Sequence, residues 1–250
     1  MAIDYVKYRQ SSLEQARIAD IIGLLPRNRS TVMDIGARDG FISQLLTDYF
    51  KGVTALDLEM PDFDFPGVIP VCGDVTSLQF SDDAFDVVCC LEVLEHIPPE
   101  RLGKACREIV RVTRHEALIG VPYRQDIRIG RTTCSACGKH NPPWGHVNSF
   151  DEDRLRRLFA GMETVSITFV GQTQERTNPL SAFFLNAASN PWGSYDQEEP
   201  CLFCGKQLAA PARGTLMHRA FAHLAERLNR VQSRLAPPRP IWMHALLRKP

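Results

Sequence analysis

The sequence predicts an α/β chain: a doubly wound, mostly parallel seven-stranded sheet with a small lid built from two insertions. Three observations carry this. Residues 31–40, TVMDIGARDG, run from an apolar stretch into an acid, Asp34, with Gly36 and Gly40 close behind and a helical pattern opening at Phe41. Such a strand, tight turn and helix start is how open α/β sheets hold a nucleotide-like ligand, and glycine lets the backbone come close to it. Apolar segments at 53–57, 68–75 and 85–91 follow, each leading to a polar residue at or just past its carboxyl end: Asp57, Asp74 and Glu92. Four such ends side by side make one ligand crevice. Two copies of Cys-x-x-Cys-Gly lie beyond these strands, at 134–138 and 201–205.

Taken in order, residues 11–25 place Leu13, Ala16, Ile18, Ile21, Ile22, Leu24 and Leu25 at broadly helical spacing. Ser11 with Glu14, or Ser12 with Gln15, supplies a capping box, and Pro26 ends the helix. Strands are predicted at about 31–35, 53–57, 68–71 and 86–91, the last apolar enough to be buried on both faces. Pro98-Pro99-Glu100 opens a helix that runs to about Val112, because proline is tolerated in a first turn. Residues 117–121 form a fifth strand, ended by Pro122-Tyr123. Ser149 with Glu152 predicts a capping box for a helix over 150–159. Residues 164–170 alternate and are β-branched, which predicts the sixth strand. Residues 216–235 read as a basic amphipathic helix, terminated by Pro237, Pro238 and Pro240. Residues 241–247 are the expected seventh strand, closing the sheet antiparallel at its edge, with Phe183-Phe184-Leu185 as the rival for that place. The expected organisation is 1–122 for the N-terminal helix and the ligand-holding half, 123–149 for one insertion, 150–170 for helix and strand six, 171–213 for the other insertion, and 214–250 for the basic helix and final strand.

Composition narrows the class. At 250 residues and 44% hydrophobic content, the chain can bury one large domain or a domain with an elaboration. No apolar run approaches the roughly 20 residues a membrane span needs. The N-terminus shows no charged-then-apolar signal pattern, so a cytoplasmic location is expected. Net charge is zero, yet from Lys206 to Pro250 nine Lys or Arg stand against the single acid Glu226. A basic tail of that kind contacts an anionic substrate, a membrane surface or RNA, or packs on the acidic body of its own protein.

The eight cysteines divide into two sets. Cys72, Cys89, Cys90 and Cys106 sit in or beside apolar strands and a helix, where free cysteine acts as a small hydrophobe. Cys134, Cys137, Cys201 and Cys204 form the two Cys-x-x-Cys pairs. Each such turn points two thiolates at one place, and two matching pairs in a cytosolic chain read as a structural Zn2+ site. A redox dithiol and unligated thiols are the alternatives. His140 and His146 are close enough in sequence to serve as spare ligands. The first pair follows strand five and the second follows strand six. Parallel strands end on the side where ligands bind, so zinc is expected to clip 123–149 and 171–213 into a lid over the crevice.

The strings VMDIGARDG, TALDLE, VCGDV and FDVVCCLEVLEHIPPE together resemble the class I S-adenosylmethionine-dependent methyltransferases, in the small-molecule, type 11-like branch that includes quinone-biosynthesis enzymes. The resemblance covers about residues 28–122, resumes at 145–150 and is weak over 171–240. It implies a Rossmann-like methyltransferase fold, S-adenosylmethionine as cofactor, and transfer of its methyl group to an O or N atom of a saccharide, lipid or secondary metabolite. It implies that Asp34 and Gly36 shape the turn at the methionine and ribose side, that Gly40 opens the helix, and that Asp57, followed by Leu58, holds the ribose hydroxyls. Asp74 would accept from the adenine amino group while Val75 packs on the ring, and Leu91 and Glu92 would line the floor where cofactor meets substrate. Asp74 also reads as a plain turn residue, and Glu92 as a first-turn helix acid.

One departure stands out: Arg38 occupies the middle glycine position of the family turn. Either its φ is negative and its side chain faces solvent, or it reaches the cofactor's carboxylate. His96 and His146 are the catalytic candidates, since histidine titrates near neutrality. A structural hydrogen bond competes for His96, and a zinc-ligand or loop role for His146. Tyr123 is a weaker candidate. Trp144 and Trp192 are either plugs of the zinc module or stacking surfaces. The competing readings are an RNA methyltransferase that grips phosphates with the zinc module and basic helix, and a non-catalytic interaction domain on the same scaffold. The chain lacks the Asn/Asp-Pro-Pro-Tyr string of base-amino methylation, and the sequence leaves the oligomeric state open.

Overall fold

A computed structural model describes residues 8–211 and 214–250. Its first half alternates strand and helix: α1 (Ser12–Leu24), β1 (Thr31–Ile35), α2 (Phe41–Leu46), β2 (Gly52–Asp57), β3 (Val68–Cys72), β4 (Phe85–Leu91), α3 (Pro99–Val112) and β5 (Thr113–Pro122). Two short strands follow, β6 (Thr132–Thr133) and β7 (His140–Asn141), then α4 (Glu152–Leu158), β8 (Glu163–Val170), α5 (Pro179–Ala187), α6 (Leu216–Leu235) and β9 (Trp242–Arg248). The main sheet has seven strands in the order β3-β2-β1-β4-β5-β9-β8. All neighbours are parallel except β9, which runs antiparallel to both β5 and β8.

The side-chain period of two explains why these strands sit at the centre. In β4, Val88 and Cys90 join the core on one face, and Val87, Cys89 and Leu91 join the core on the other. β1 divides the same way, Met33 and Ile35 against Val32. The first face is covered by α3, whose Leu102, Ala105, Cys106, Ile109 and Val112 repeat at helical spacing, and by α4 through Leu155. The second takes Ile21 of α1 and Leu46 of α2. A strand apolar on both pleats must be covered on both faces, and that makes the sheet a three-layer sandwich.

Three expectations are corrected, and the rival for the seventh strand is excluded. The final strand lies inside the sheet between β5 and β8, and β8 forms the edge. Burial tells the two apart: the first four residues of β9 are all buried, whereas β8 is mostly exposed or half-buried along its length. Phe183-Phe184-Leu185 belongs to α5, started by a capping box between Asn178 and Ser181. The cap of α4 is Asp151, whose side chain accepts from the Arg154 N–H, in place of Ser149 with Glu152. Cys72 is exposed, while Cys89, Cys90 and Cys106 are buried.

The insertions fold together. Ser194 N–H donates to the Gly130 carbonyl at 2.8 Å, Thr133 N–H donates to the Tyr195 hydroxyl at 2.9 Å, and Leu202 N–H donates to Asn141 Oδ1 at 2.9 Å. Gly193 passes so close to the other insertion that a Cβ there would lie 2.4 Å from the Arg131 carbonyl oxygen. Cys134, Cys201, Leu208 and Tyr195 make a small core of their own. α5 packs on α6, behind this module.

Candidate functional site

The turn after β1 is held from two sides. Asp34 is buried, and the Ser43 hydroxyl on α2 donates to its Oδ2 at 2.6 Å. Burial pushes its pKa up to about 7, against the opposing effect of the Ser43 hydrogen bond. Gly36 has φ 82°, and a Cβ there would lie 2.3 Å from Val93 Cγ2; Gly40 has φ 76° against the Phe63 ring. Arg38 has φ 46°, so the expected negative φ is overturned. A non-glycine residue in this region costs about 1–2 kcal/mol. Asp57 offsets that cost, its Oδ2 accepting from Arg38 N–H at 2.8 Å and its Oδ1 from Leu58 N–H at 2.7 Å. The Arg38 side chain pairs with Glu198 of the second insertion at 3.1 Å.

A cavity of about 700 Å³ opens beside this turn, within the roughly 300–1,000 Å³ of small-molecule sites. Its wall includes Asp34, Gly36, Leu91, Glu92, His96 and His146. Gly40, Asp57, Leu58, Asp74 and Val75 lie along the carboxyl ends of β1, β2 and β3, outside that wall. Asp74 forms a turn: its Oδ1 accepts from Thr76 N–H at 2.7 Å, which holds its pKa below the usual carboxylate value, and Arg101 pairs with its Oδ2. Val75 is buried in the core and Leu58 is 70% exposed. α1 contributes Glu14 and Arg17, joined at 2.6 Å, and the insertions contribute Gln125, Trp144 and Glu199. No residue of α6 lines the cavity.

Glu92 closes the floor. It has φ 58°, its Oε2 accepts from Trp242 Nε1 at 2.9 Å, and burial raises its pKa to about 7. The His96 and His146 rings meet edge-on, centroids 4.5 Å apart. Burial lowers His96 to about 4 and His146 to about 3, so both are neutral and weakly basic at pH 7. General-base catalysis works best near the operating pH, and these rings are far below it. Tyr123 turns away from the cavity to Glu152, 3.1 Å from its Oε2. Trp144 stands beside His146 at the cavity, whereas Trp192 packs against His223 of α6.

The four cysteines of the two pairs converge. Their sulfurs all lie within 4.8 Å of one another, with Cys134–Cys204 and Cys137–Cys201 each at 3.6 Å. The two turns repeat one pattern: Gly138 N–H donates to the Cys134 carbonyl and Gly205 N–H to the Cys201 carbonyl, both at 2.9 Å. N–H groups of Cys137 and Ala136 hold the Cys134 thiol below its usual pKa. His140 stands apart, 3.1 Å from Thr133 Oγ1, and His146 joins Glu95 and His96 instead.

Residues 33–120 match the family described as Methyltransferase domain. The chain is 30% identical over 121 residues to a demethylmenaquinone methyltransferase of Renibacterium salmoninarum, covering 44% of this chain and 47% of that one. It is 28% identical over 90 residues to a ubiquinone biosynthesis O-methyltransferase of Coxiella burnetii, covering 32% of this chain and 38% of that one. The chain therefore spans less than half the length of these relatives. An S-adenosylmethionine-dependent methyltransferase from Archaeoglobus fulgidus superposes with a TM-score of 0.55 at 16% identity, covering 99% of this chain and 100% of that one, so the fold is shared throughout.

Glu95, Arg17 and Glu198 were not among the expected site residues, and Glu14 entered only as a helix cap. Glu95 sits in a quoted motif, but nothing in its neighbours said that both of its oxygens would be buried. The reach of Glu198 across to Arg38 spans 160 positions and had no local signal.

Proposed function

We propose that this protein transfers the methyl group of S-adenosylmethionine to an O or N atom of a small-molecule acceptor. The sulfonium supplies an electrophilic methyl and leaves as a neutral thioether, so positioning and exclusion of water provide most of the rate. The observation that carries the reading is the left-handed turn at Gly36, Arg38 and Gly40. It is fastened by Asp57 and opens onto a cavity floored by Leu91 and Glu92. Asp57 spends one lone pair per oxygen on the turn and keeps the others for a ribose diol. The match over residues 33–120 supports the same cofactor.

The acceptor side is the lid. Among the described residues nine Asp or Glu against four arginines line the cavity, and even with Asp34 and Glu92 partly protonated the acids outnumber the arginines, which favours a neutral or cationic acceptor. That weighs against the anionic acceptor suggested by the basic C-terminal stretch, whose helix lies elsewhere. The four cysteines fit a closed structural Zn2+ site, since Zn–S bonds of about 2.3 Å place sulfurs close to the observed separations. In this reading zinc holds 123–149 to 171–211. No helix among the described residues is long and apolar enough to cross a membrane. Isothermal calorimetry with S-adenosylmethionine tests the proposal: a 1:1 heat of binding supports it, and silence would refute it. Methyl transfer from labelled cofactor to a panel of hydroxylated and amino aromatics then identifies the acceptor atom.

A further inference from the structure

His96 and His146 line the cavity, and the buried Glu95 carboxylate lies just behind them, with ligand atoms of the three all within 4.8 Å of one another. The cluster is built into the fold. Val147 and Asn148 N–H groups donate to the Glu95 carbonyl at 2.8 and 3.2 Å, and Asn148 Nδ2 donates to the Leu94 and Ile97 carbonyls at 3.1 and 2.6 Å. These buried hydrogen bonds pin the segment bearing His146 to the loop bearing Glu95 and His96.

The donor atoms are also left available. Glu95 is fully buried, and neither carboxylate oxygen has a hydrogen-bond partner among the described residues. A buried carboxylate with two bare oxygens is costly until a proton or a cation answers it. His146 Nδ1 lies 2.7 Å from Gln125 Oε1; donating there leaves the lone pair on Nε2. The Trp144 backbone orients His96 in the same manner. An imidazole fixed through one nitrogen, with the other free, is the usual condition of a histidine metal ligand.

We propose that Glu95, His96 and His146 bind a divalent cation of the Mn2+, Fe2+ or Zn2+ type, separate from the four-cysteine cluster. Two imidazoles and a carboxylate suit these ions, and three protein donors leave positions open. Both histidines face the cavity, so the open positions face it too. This deepens the methyl-transfer reading, on which its second half rests: the acceptor is a hydroxyl compound whose oxygen binds the cation. Such binding lowers the hydroxyl pKa, and the released proton goes to solvent.

The test uses the full chain with its cysteine cluster loaded with zinc. Titration with Mn2+ alone, followed by loss of the free-ion electron paramagnetic resonance signal, should show one further ion per chain. Glu95→Gln and His146→Ala, each checked for an unchanged melting curve, should weaken that binding by at least about tenfold. Co2+ in the same site should show nitrogen- and oxygen-type absorption bands that shift when catechol is added. Absence of a second ion, or binding that neither variant changes, would overturn the cation site and leave Glu95 as a buried neutral acid. Bands unmoved by catechol would overturn the hydroxyl role. Calorimetry with S-adenosylmethionine on the same samples separates the two readings: cofactor heat without a second ion defeats this inference alone, and a second ion without cofactor heat defeats methyl transfer.

Discussion

Asp34→Asn isolates the electrostatics of the turn after β1. Asp34 is buried and its pKa stands at about 7 against an ordinary 3.8. The folded state therefore holds a proton that the unfolded chain gives up across this interval. A raised folded-state pKa contributes stability that is complete below about pH 4 and is lost as pH rises through about 7. Three units at about 1.4 kcal/mol each amount to about 4 kcal/mol, an order-of-magnitude figure for a fully buried acid. Asparagine keeps an oxygen to accept from Ser43 and has no proton to lose. Urea unfolding of both proteins at intervals from pH 4.5 to 8 provides the assay. The stability of Asp34→Asn minus that of the wild type should climb by up to about 3.5 kcal/mol over this range, the remainder falling below pH 4.5. His96 and His146, depressed by burial, pull the absolute curves the other way, because their neutral folded forms lose stability as pH falls below about 6.5. They do so in both proteins and cancel in the difference. A difference independent of pH would refute the assignment of a burial-raised acid at the turn.

Three other perturbations probe the rest of the site. Gly36→Ala should destabilise the chain by at least about 1–2 kcal/mol from its left-handed φ, with further loss from the Val93 overlap, readable by urea denaturation. Asp57→Ala should weaken S-adenosylmethionine binding at least about tenfold, roughly 1.4 kcal/mol by calorimetry, because both the diol acceptor and the clamp on Arg38 are lost. Cys134→Ser, or zinc removal by a chelator, should raise protease cutting within 123–149 and 171–211 while far-ultraviolet circular dichroism of the sheet persists; unchanged cutting would count against the zinc-held lid.

The strand, turn and helix over residues 31–46 were legible because their signals are local. An apolar run, an acid and a glycine turn lie within ten residues, and α2 begins at Phe41 as the pattern predicts. α6 matches its predicted bounds for the same reason: amphipathic spacing and a following proline cluster are read along one segment. The place of β9 was not legible. Apolar content predicts burial, but an edge strand and an inserted strand differ only in having one neighbour or two, and that is decided by which strand docks beside β5. Arg38 failed for a related reason. Its own chemistry disfavours positive φ, and the Asp57 carboxylate that stabilises it comes from the next strand.

The acceptor side follows the same logic with higher stakes. Glu95 and His96 are adjacent, yet their partner His146 is fifty positions on, past β5, β6 and β7. What brings it back is the pairing of Val147 and Asn148 with the Glu95 carbonyl, a contact between two irregular segments. Sequence periodicity carries no information about such contacts, because neither segment is helix or strand. The two insertions then determine what faces His96 and His146 across the cavity: Trp144 as a flat apolar wall, Glu199 as an acid, and Glu198 paired with Arg38. Arg38 answers Glu198, while the other lid carboxylates leave the cavity acidic on that side. In the proposed reading the cofactor's sulfonium would bring one positive charge to that side, and a divalent cation on Glu95, His96 and His146 would bring another. The acidic lining and the bare Glu95 oxygens both favour positive occupants, which is what the proposed cofactor and cation would supply.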